Sequence, residues 1–388
     1  MNSCRSAAPD RGPQPVRHHR PLAAWCLCAA LLAAAACEHA GPGDVATPPD
    51  AGPFSPAMPR RLTFSTGDDR TPSVTGDLIV YARQGTAYPN PLYTVAGREE
   101  CLAFLPVEGG TLLRTLCPHD LIIPADTFVH TWFEPSLSPD GTRIAFTWQR
   151  GPNVGPLGFA DIFLMVAAVD RPADTLQTRV LIHYAEDGYY PRYASLASRI
   201  TWLSADRLRF LATFERIIKV KDGGAERVTD TLFEPLALME MDVASGATHV
   251  VPGGDSVVAY VNAPDGTVWV VREADPAAVL RLDPATGARS SVGRFSSPVV
   301  DLIAVAGFLV AADSPAYDPG TGLPRPVVRG GAVLEILDPT TGVATPMPAL
   351  PGPIRHLAAA GGRRFVAEAE PSLRPFGWPA DLWLLEVP

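Results

Sequence analysis

The chain has 388 residues, 47% hydrophobic and 19% charged, with 33 Gly and 41 Pro. That content supplies a core, and so many turn formers beside so few charged residues point to many short strands and turns in place of long amphipathic helices. The formal net charge is −9, from 32 Lys and Arg against 41 Asp and Glu with no basic stripe, which argues against a nucleic-acid surface.

Residues 1–36 read as an export signal. Arg17, His18, His19 and Arg20 form a basic stretch, and Pro21 to Ala36 is an apolar run of 16 residues, short for a membrane span. It ends in Ala33-Ala34-Ala35-Ala36-Cys37, which resembles the bacterial lipobox, where small residues precede a cysteine that becomes lipidated and then N-terminal. That family usually carries Leu three residues before the cysteine; here the position is Ala34, with Leu31 and Leu32 just upstream. The resemblance implies lipidation of Cys37, a membrane-anchored place in the bacterial cell envelope and, since Glu38 follows, the periplasmic side of the outer membrane in a Gram-negative host. Loss of 1–36, which carries four Arg and one Asp, takes the mature chain to −12. Residues 37–59 form a tether, with Pro at 42, 48, 49, 53, 56 and 59, too poor in apolar residues to build a core.

Of six cysteines, Cys4, Cys26 and Cys28 fall in the signal and Cys37 at its end, leaving Cys101 and Cys117 as a pair. A three-residue hairpin loop at Glu108-Gly109-Gly110 sets Cys101 opposite Cys117, so a cross-strand disulfide is expected in an oxidising compartment.

From residue 60 onward the chain repeats a strand–turn–strand unit. Its clearest copy is Phe133 to Trp148, F-E-P-S-L-S-P-D-G-T-R-I-A-F-T-W. Ser138-Pro139-Asp140-Gly141 has turn chemistry, Arg143 to Trp148 reads as a buried strand, and Pro135 is placed at the start of the first strand. Asp68 to Arg83 is a copy with a shortened turn, and Tyr190-Pro191-Arg192-Tyr193 with Ile200 to Leu211 is a third. A third apolar strand and turn follow each, ending later in Asp283-Pro284-Ala285-Thr286-Gly287 and Asp338-Pro339-Thr340-Thr341-Gly342. The inner hairpins of the later copies are Val257–Arg272, Val300–Ala311 and Ile354–Ala367. Segments 84–99, 150–160 and 215–233 read as variable loops.

Units of four short strands match an all-β propeller over 60–388, with six blades and seven the alternative. It is closed by pairing 61–65 with the C-terminal strand 381–387. F-E-P-S-L-S-P-D-G-T-R-I-A-F and R-L-T-F-S-T-G-D-D-R-T-P resemble the TolB-type propeller repeat of bacterial periplasmic proteins, well over 60–215 and loosely beyond. The resemblance implies a partner-binding scaffold in the cell envelope. Related propellers precede a hydrolase domain, which is not expected here.

Connections into the innermost strands gather at one mouth of a propeller channel. They offer Asp68, Asp69 and Arg70; Trp132 and Glu134; and Asp187, Tyr189, Tyr190 and Arg192 as a recognition rim, acids and Arg beside aromatics. Hydrolase signatures are missing: no G-x-S-x-G occurs, and His119, His130, His183, His249 and His356 lack metal-ligand spacing. No catalytic residue, metal or cofactor is expected. The function expected is a binding or scaffold module for an envelope protein or cell-wall component, the alternative being a lyase or hydrolase working at the channel mouth.

Overall fold

A computed structural model of the chain describes residues 59–64, 68–87, 98–118, 128–152, 161–171, 177–180, 183–184, 191–222, 225–233, 236–313, 334–347, 350, 354–369 and 380–388. The export signal, Cys37 and the tether up to residue 58 lie outside the described residues.

After a two-residue strand β1 (Arg60–Arg61), antiparallel meanders follow one another. The first is β2 (Asp69–Thr75), β3 (Leu78–Ala87), β4 (Arg98–Pro106) and β5 (Arg114–Leu116); the second is β6 (Phe128–Leu137), β7 (Arg143–Pro152), β8 (Asp161–Ala168) and β9 (Gln177–Val180). A parallel pairing of Glu100 with Thr131 joins these two into one sheet. Next come β10 (His183–Tyr184), β11 (Pro191–Ser204), β12 (Arg207–Asp222), β13 (Ala225–Phe233), β14 (Ala237–Asp242) and β15 (Thr248–Asp255), ordered β10-β11-β12-β14-β15 with β13 on β12. Then follow β16 (Val257–Asn262), β17 (Val268–Arg272), β18 (Asp275–Leu282) and β19 (Arg289–Arg294), and β20 (Val299–Val305), β21 (Phe308–Asp313), β22 (Leu334–Asp338) and β23 (Val343–Pro346). The last sheet holds β24 (Ile354–Ala359), β25 (Arg364–Ala369), β26 (Asp381–Glu386) and, on its outer edge, β1.

The first strand of each meander stands on a common axis. β2 packs beside β6 and β24, β6 beside β11, β16 beside β20, and β20 beside β24. Tyr260 on β16 reaches β11, its hydroxyl donating to the Arg199 carbonyl at 2.5 Å. The fold is an all-β propeller.

Sequence explains why the sheets stack. Strands buried on both faces need continuous apolar runs, not alternation. Ile79 and Tyr81 face one way, packing with Leu62, Val366 and Leu384, while Val80 faces the other, packing with Trp132, Ile144 and Phe146. Ala145 then joins Trp202, Leu208 and Phe210. Each sheet thus lends one face to each neighbour.

At the closure, Arg60 pairs with Leu384 and Arg61 with Trp383. Leu62 N–H donates to the Leu382 carbonyl at 2.7 Å, and the Arg61 guanidinium lies 2.7 Å from buried Asp381. Every backbone group so paired on the edge removes a template for association with other chains.

Two readings of the sequence need correction. Segment 215–233 is not a loop: β12 runs on to Asp222 and returns as β13, with Glu215 opposite Phe233. Pro135 does not begin a strand; β6 starts at Phe128, and Pro135 sits in a bulge where two residues, Glu134 and Pro135, face one. A bulged residue needs no ladder N–H, so proline fits there.

The Ser138–Gly141 turn forms as its chemistry dictates. The Asp140 carboxylate accepts from Ser138 Oγ (2.6 Å), Thr142 N–H (3.1 Å) and Thr142 Oγ1 (2.9 Å), and Gly141 takes φ +69°. Those donors hold its pKa down to about 2.

Candidate functional site in the axial channel

The bulge at Glu134 has counterparts. Thr71 and Pro72 face one residue of β3, and Arg199 and Ile200 face one of β12. In all three sheets the opposing residue is aromatic: Tyr81, Phe146 and Phe210. Thr71, Glu134 and Arg199 take φ of +49°, +51° and +57°. Left-handed backbone at a non-glycine residue costs about 1–2 kcal/mol and persists where its surroundings enforce it.

Those surroundings are hydrogen bonds passed round the axis from sheet to sheet. Thr71 N–H donates to Glu368 Oε2 at 2.8 Å. Glu134 N–H donates to Thr71 Oγ1 at 3.1 Å, and Arg199 N–H to Glu134 Oε2 at 3.0 Å. The Arg199 guanidinium crosses to Asp301 on β20 at 2.5 Å and donates to the Arg355 carbonyl on β24 at 3.3 Å. Asp301 in turn accepts from the N–H groups of Leu302, at 2.7 Å, and of Leu357. Bulging the inner strands turns these amides sideways, out of their own ladders, so that a neighbour's side chain can take them.

The result is a collar around the axis, set at the bulges of β2, β6 and β11. Beyond it the channel wall becomes less polar, through Val74, Leu137, Val261, Ala304 and Ala359. The cavity they enclose has a volume of about 430 Å³.

Burial governs the collar's charges. It pushes the Glu134 carboxyl up against the pull of Arg199, and Asp301 likewise. Glu368 rises by burial to about 7, despite the Thr71 N–H. Burial, with the cations Arg199, Arg355 and Arg70, holds His356 well below its ordinary range. The 3.8 Å contact between His356 Nε2 and Glu368 Oε2 therefore joins a neutral imidazole to a carboxyl that is hard to ionise, and is not an ion pair near neutrality.

The residues expected on a rim divide. Glu134 lies in the collar and lines the cavity. Asp68 accepts from Ala380 N–H at 2.9 Å, helping to hold the closing sheet. Arg70 pairs with Glu100 and stands 3.9 Å from Asp68. Asp69 is wholly buried, 4.0 Å from Arg83. Trp132 is 1% exposed and packs its ring 4.9 Å from Phe146, so it belongs to the core between sheets and offers no face to a ligand. Arg192 lies in β11, its backbone opposite Arg216. Asp187, Tyr189 and Tyr190 lie outside the described residues. Cys101 and Cys117 are joined by a disulfide, and the β4–β5 ladder keeps the expected register, Leu102 opposite Leu116, with a wider loop than three residues.

Sequence reasoning missed Thr71, Arg199, Tyr260, Asp301, His356 and Glu368. The available signal was a polar residue ahead of the turn acids Asp77, Asp140 and Asp206, followed twice by proline. In the third copy the bulge falls at Arg199-Ile200, not at Pro191. Among the described residues no three of His, Cys, Asp and Glu converge as a metal site would require.

No family model and no curated protein matches this chain. Solved structures do resemble it at low identity. An oligogalacturonate lyase in complex with manganese is 12% identical, with a TM-score of 0.46 over 89% of this chain and 96% of that one. The β-propeller domain of the Trilobed protease from Pyrococcus furiosus, described as having an open velcro topology, is 12% identical, with a TM-score of 0.43 over 83% and 96%. A puromycin hydrolase is 16% identical, with a TM-score of 0.41 over 82% of this chain. This chain spans about half the length of the hydrolase, 52%.

Proposed function

We propose that this chain is a lipid-anchored, six-bladed propeller of TolB type in the bacterial cell envelope, which binds a protein segment or cell-wall component in its axial channel and does not turn it over. The six blades are the meanders that begin at β2, β6, β11, β16, β20 and β24. One observation carries the binding reading. The buried charged groups of the collar are engaged with backbone amides and with one another across sheets, leaving behind them a cavity of about 430 Å³. A volume of that order suits a small ligand or one or two side chains of a partner, and walls fixed in advance reduce the ordering cost of binding.

The lyase or hydrolase reading draws on His356 beside Glu368, whose carboxyl has a pKa of about 7. Set against it, one oxygen of that carboxyl, Oε2, is committed to the Thr71 amide, while Oε1 is buried without a hydrogen-bond partner among the described residues.

A photo-crosslinking residue at Ala359, inside the channel, tests the proposal in cells expressing the full chain. A specific adduct from Ala359 and none from Thr286, on an outer turn, is expected. Equal adducts from both positions would contradict it, as would conversion of a cell-wall fragment by the purified protein.

A further inference from the structure

A second cavity lies away from the axis, where the β11–β15 sheet meets the β16–β19 sheet. Its volume is about 560 Å³, and its polar lining includes Arg207, Arg209, Glu240, His249 and Asn262. Apolar walls come from Val251, Pro252, Pro264 and Pro284.

The charges in this cleft do not cancel. Glu240, 4% exposed, carries one negative charge. Arg209, equally buried, meets Glu240 Oε1 through Nε at 3.2 Å and Nη2 at 2.6 Å, a pairing that balances that charge. Asn262 Oδ1 accepts from Arg209 Nη1 and fixes the guanidinium. Among the lining charges Arg207 is therefore surplus: one nitrogen touches Glu240 Oε2, its side chain is 55% exposed at the mouth, and the acid opposite it in the ladder, Asp242, accepts from Ser245 N–H and Oγ. His249, 61% exposed, places its Nε2 4.0 Å from the same oxygen. On the far lip, Arg281 and Asp265 neutralise each other. Burial raises the Glu240 carboxyl, but Arg209 and Arg207 outweigh it and hold the group ionised. A net positive cleft is thus set into a chain whose formal charge is −9.

We infer that this cleft binds a compact oxyanion, a carboxylate or phosphate group, at the exposed Arg207 guanidinium on its mouth, with any apolar body against the proline walls. The repulsion from Glu240 is offset by its bidentate pairing with Arg209, which leaves the charge of Arg207 to attract the anion. Guanidinium groups already oriented by a buried acid lose little freedom on meeting an anion.

Calorimetric titration of the folded chain with inorganic phosphate and, separately, propionate tests this. Saturable binding of at least one anion is expected. It should be weakened about tenfold by Arg207→Ala, the loss of one charge-assisted contact, and left unchanged by Arg281→Ala. Phosphate binding alone assigns the site to phosphate groups, and propionate binding alone to carboxylates with an apolar body. No saturable binding of either anion, or binding that Arg207→Ala leaves intact, would overturn the inference. Arg207 is half-exposed, so its removal leaves the fold in place, which circular dichroism checks.

Discussion

Arg199 and Asp301 hold an ion pair of 2.5 Å although the whole β16–β19 sheet lies between them along the chain. Asp301 is 1% exposed, and Arg199 lends its backbone N–H to a second buried acid, Glu134. One arginine therefore serves two carboxylates and three sheets. Replacing it with Met leaves those acids buried without their cation, and a loss of about 3–5 kcal/mol is expected in urea unfolding. Arg199→Met with Asp301→Leu should cost less than the sum of the single changes; additive losses would show that the pair is not coupled.

Glu368 gives the collar a pH signature. Its folded pKa of about 7 lies above the ordinary 4.5. Between those values the native state holds a proton that the unfolded chain has released. Its contribution is thus complete below about pH 4.5 and lost as pH rises through 7. Glu134 and Asp301 are raised too and act in the same sense, whereas His356, depressed, removes stability as pH falls below its ordinary range. Glu368→Gln isolates the one group, because a neutral amide oxygen still accepts from Thr71 N–H. The variant's unfolding free energy should gain on the parent's as pH rises and level off above 7, by an amount on the order of 3 kcal/mol. A gap that does not change with pH would contradict the assignment.

Packing between sheets makes another demand at Gly293. A Cβ there would lie 2.8 Å from the Gly342 carbonyl oxygen and 2.9 Å from Gly342 Cα. Backbone cannot step aside as a flexible side chain can. Gly293→Ala is expected to destabilise by about 1–3 kcal/mol, read as a lowered urea midpoint with unchanged slope.

The Cys101–Cys117 bridge closes a short loop, with a sequence separation of 16. Cross-links of that span restrict the unfolded chain by about 3 kcal/mol. Cys101→Ser with Cys117→Ser should lower stability by about that amount while leaving the channel's binding unaltered.

How far the sequence carried this architecture depends on which interactions were local. The hairpins at Val257–Arg272 and Ile354–Ala367, and the Asp283 and Asp338 turns, were legible because turn acids, glycines and apolar runs act within a few residues. Asp283 Oδ1, for instance, accepts from Ala285 N–H at 2.9 Å. The collar was not legible. Its bonds join residues as far apart as Thr71 and Glu368, and nothing near either one announces the other. Trp132 was misplaced for a related reason: an aromatic two residues before Glu134 reads equally as a rim or as a sheet face, and only the alternation across β6 decides it. The later inner strands keep a one-residue insertion, at Val258, Val300 and Arg355, but without the left-handed backbone of Thr71, Glu134 and Arg199, which matches the fading of the repeat after residue 215.

The account stands most directly on whether the channel is where binding occurs. Whatever crosslinks to a probe at Ala359 provides the assay, as the amount of that partner retained by the purified, folded chain. Ala359→Trp fills the channel while leaving the collar untouched, and Thr286→Trp adds the same bulk to an outer turn. The account predicts that Ala359→Trp abolishes retention without lowering the melting temperature and that Thr286→Trp retains the partner fully; undiminished retention by a folded Ala359→Trp variant would contradict it.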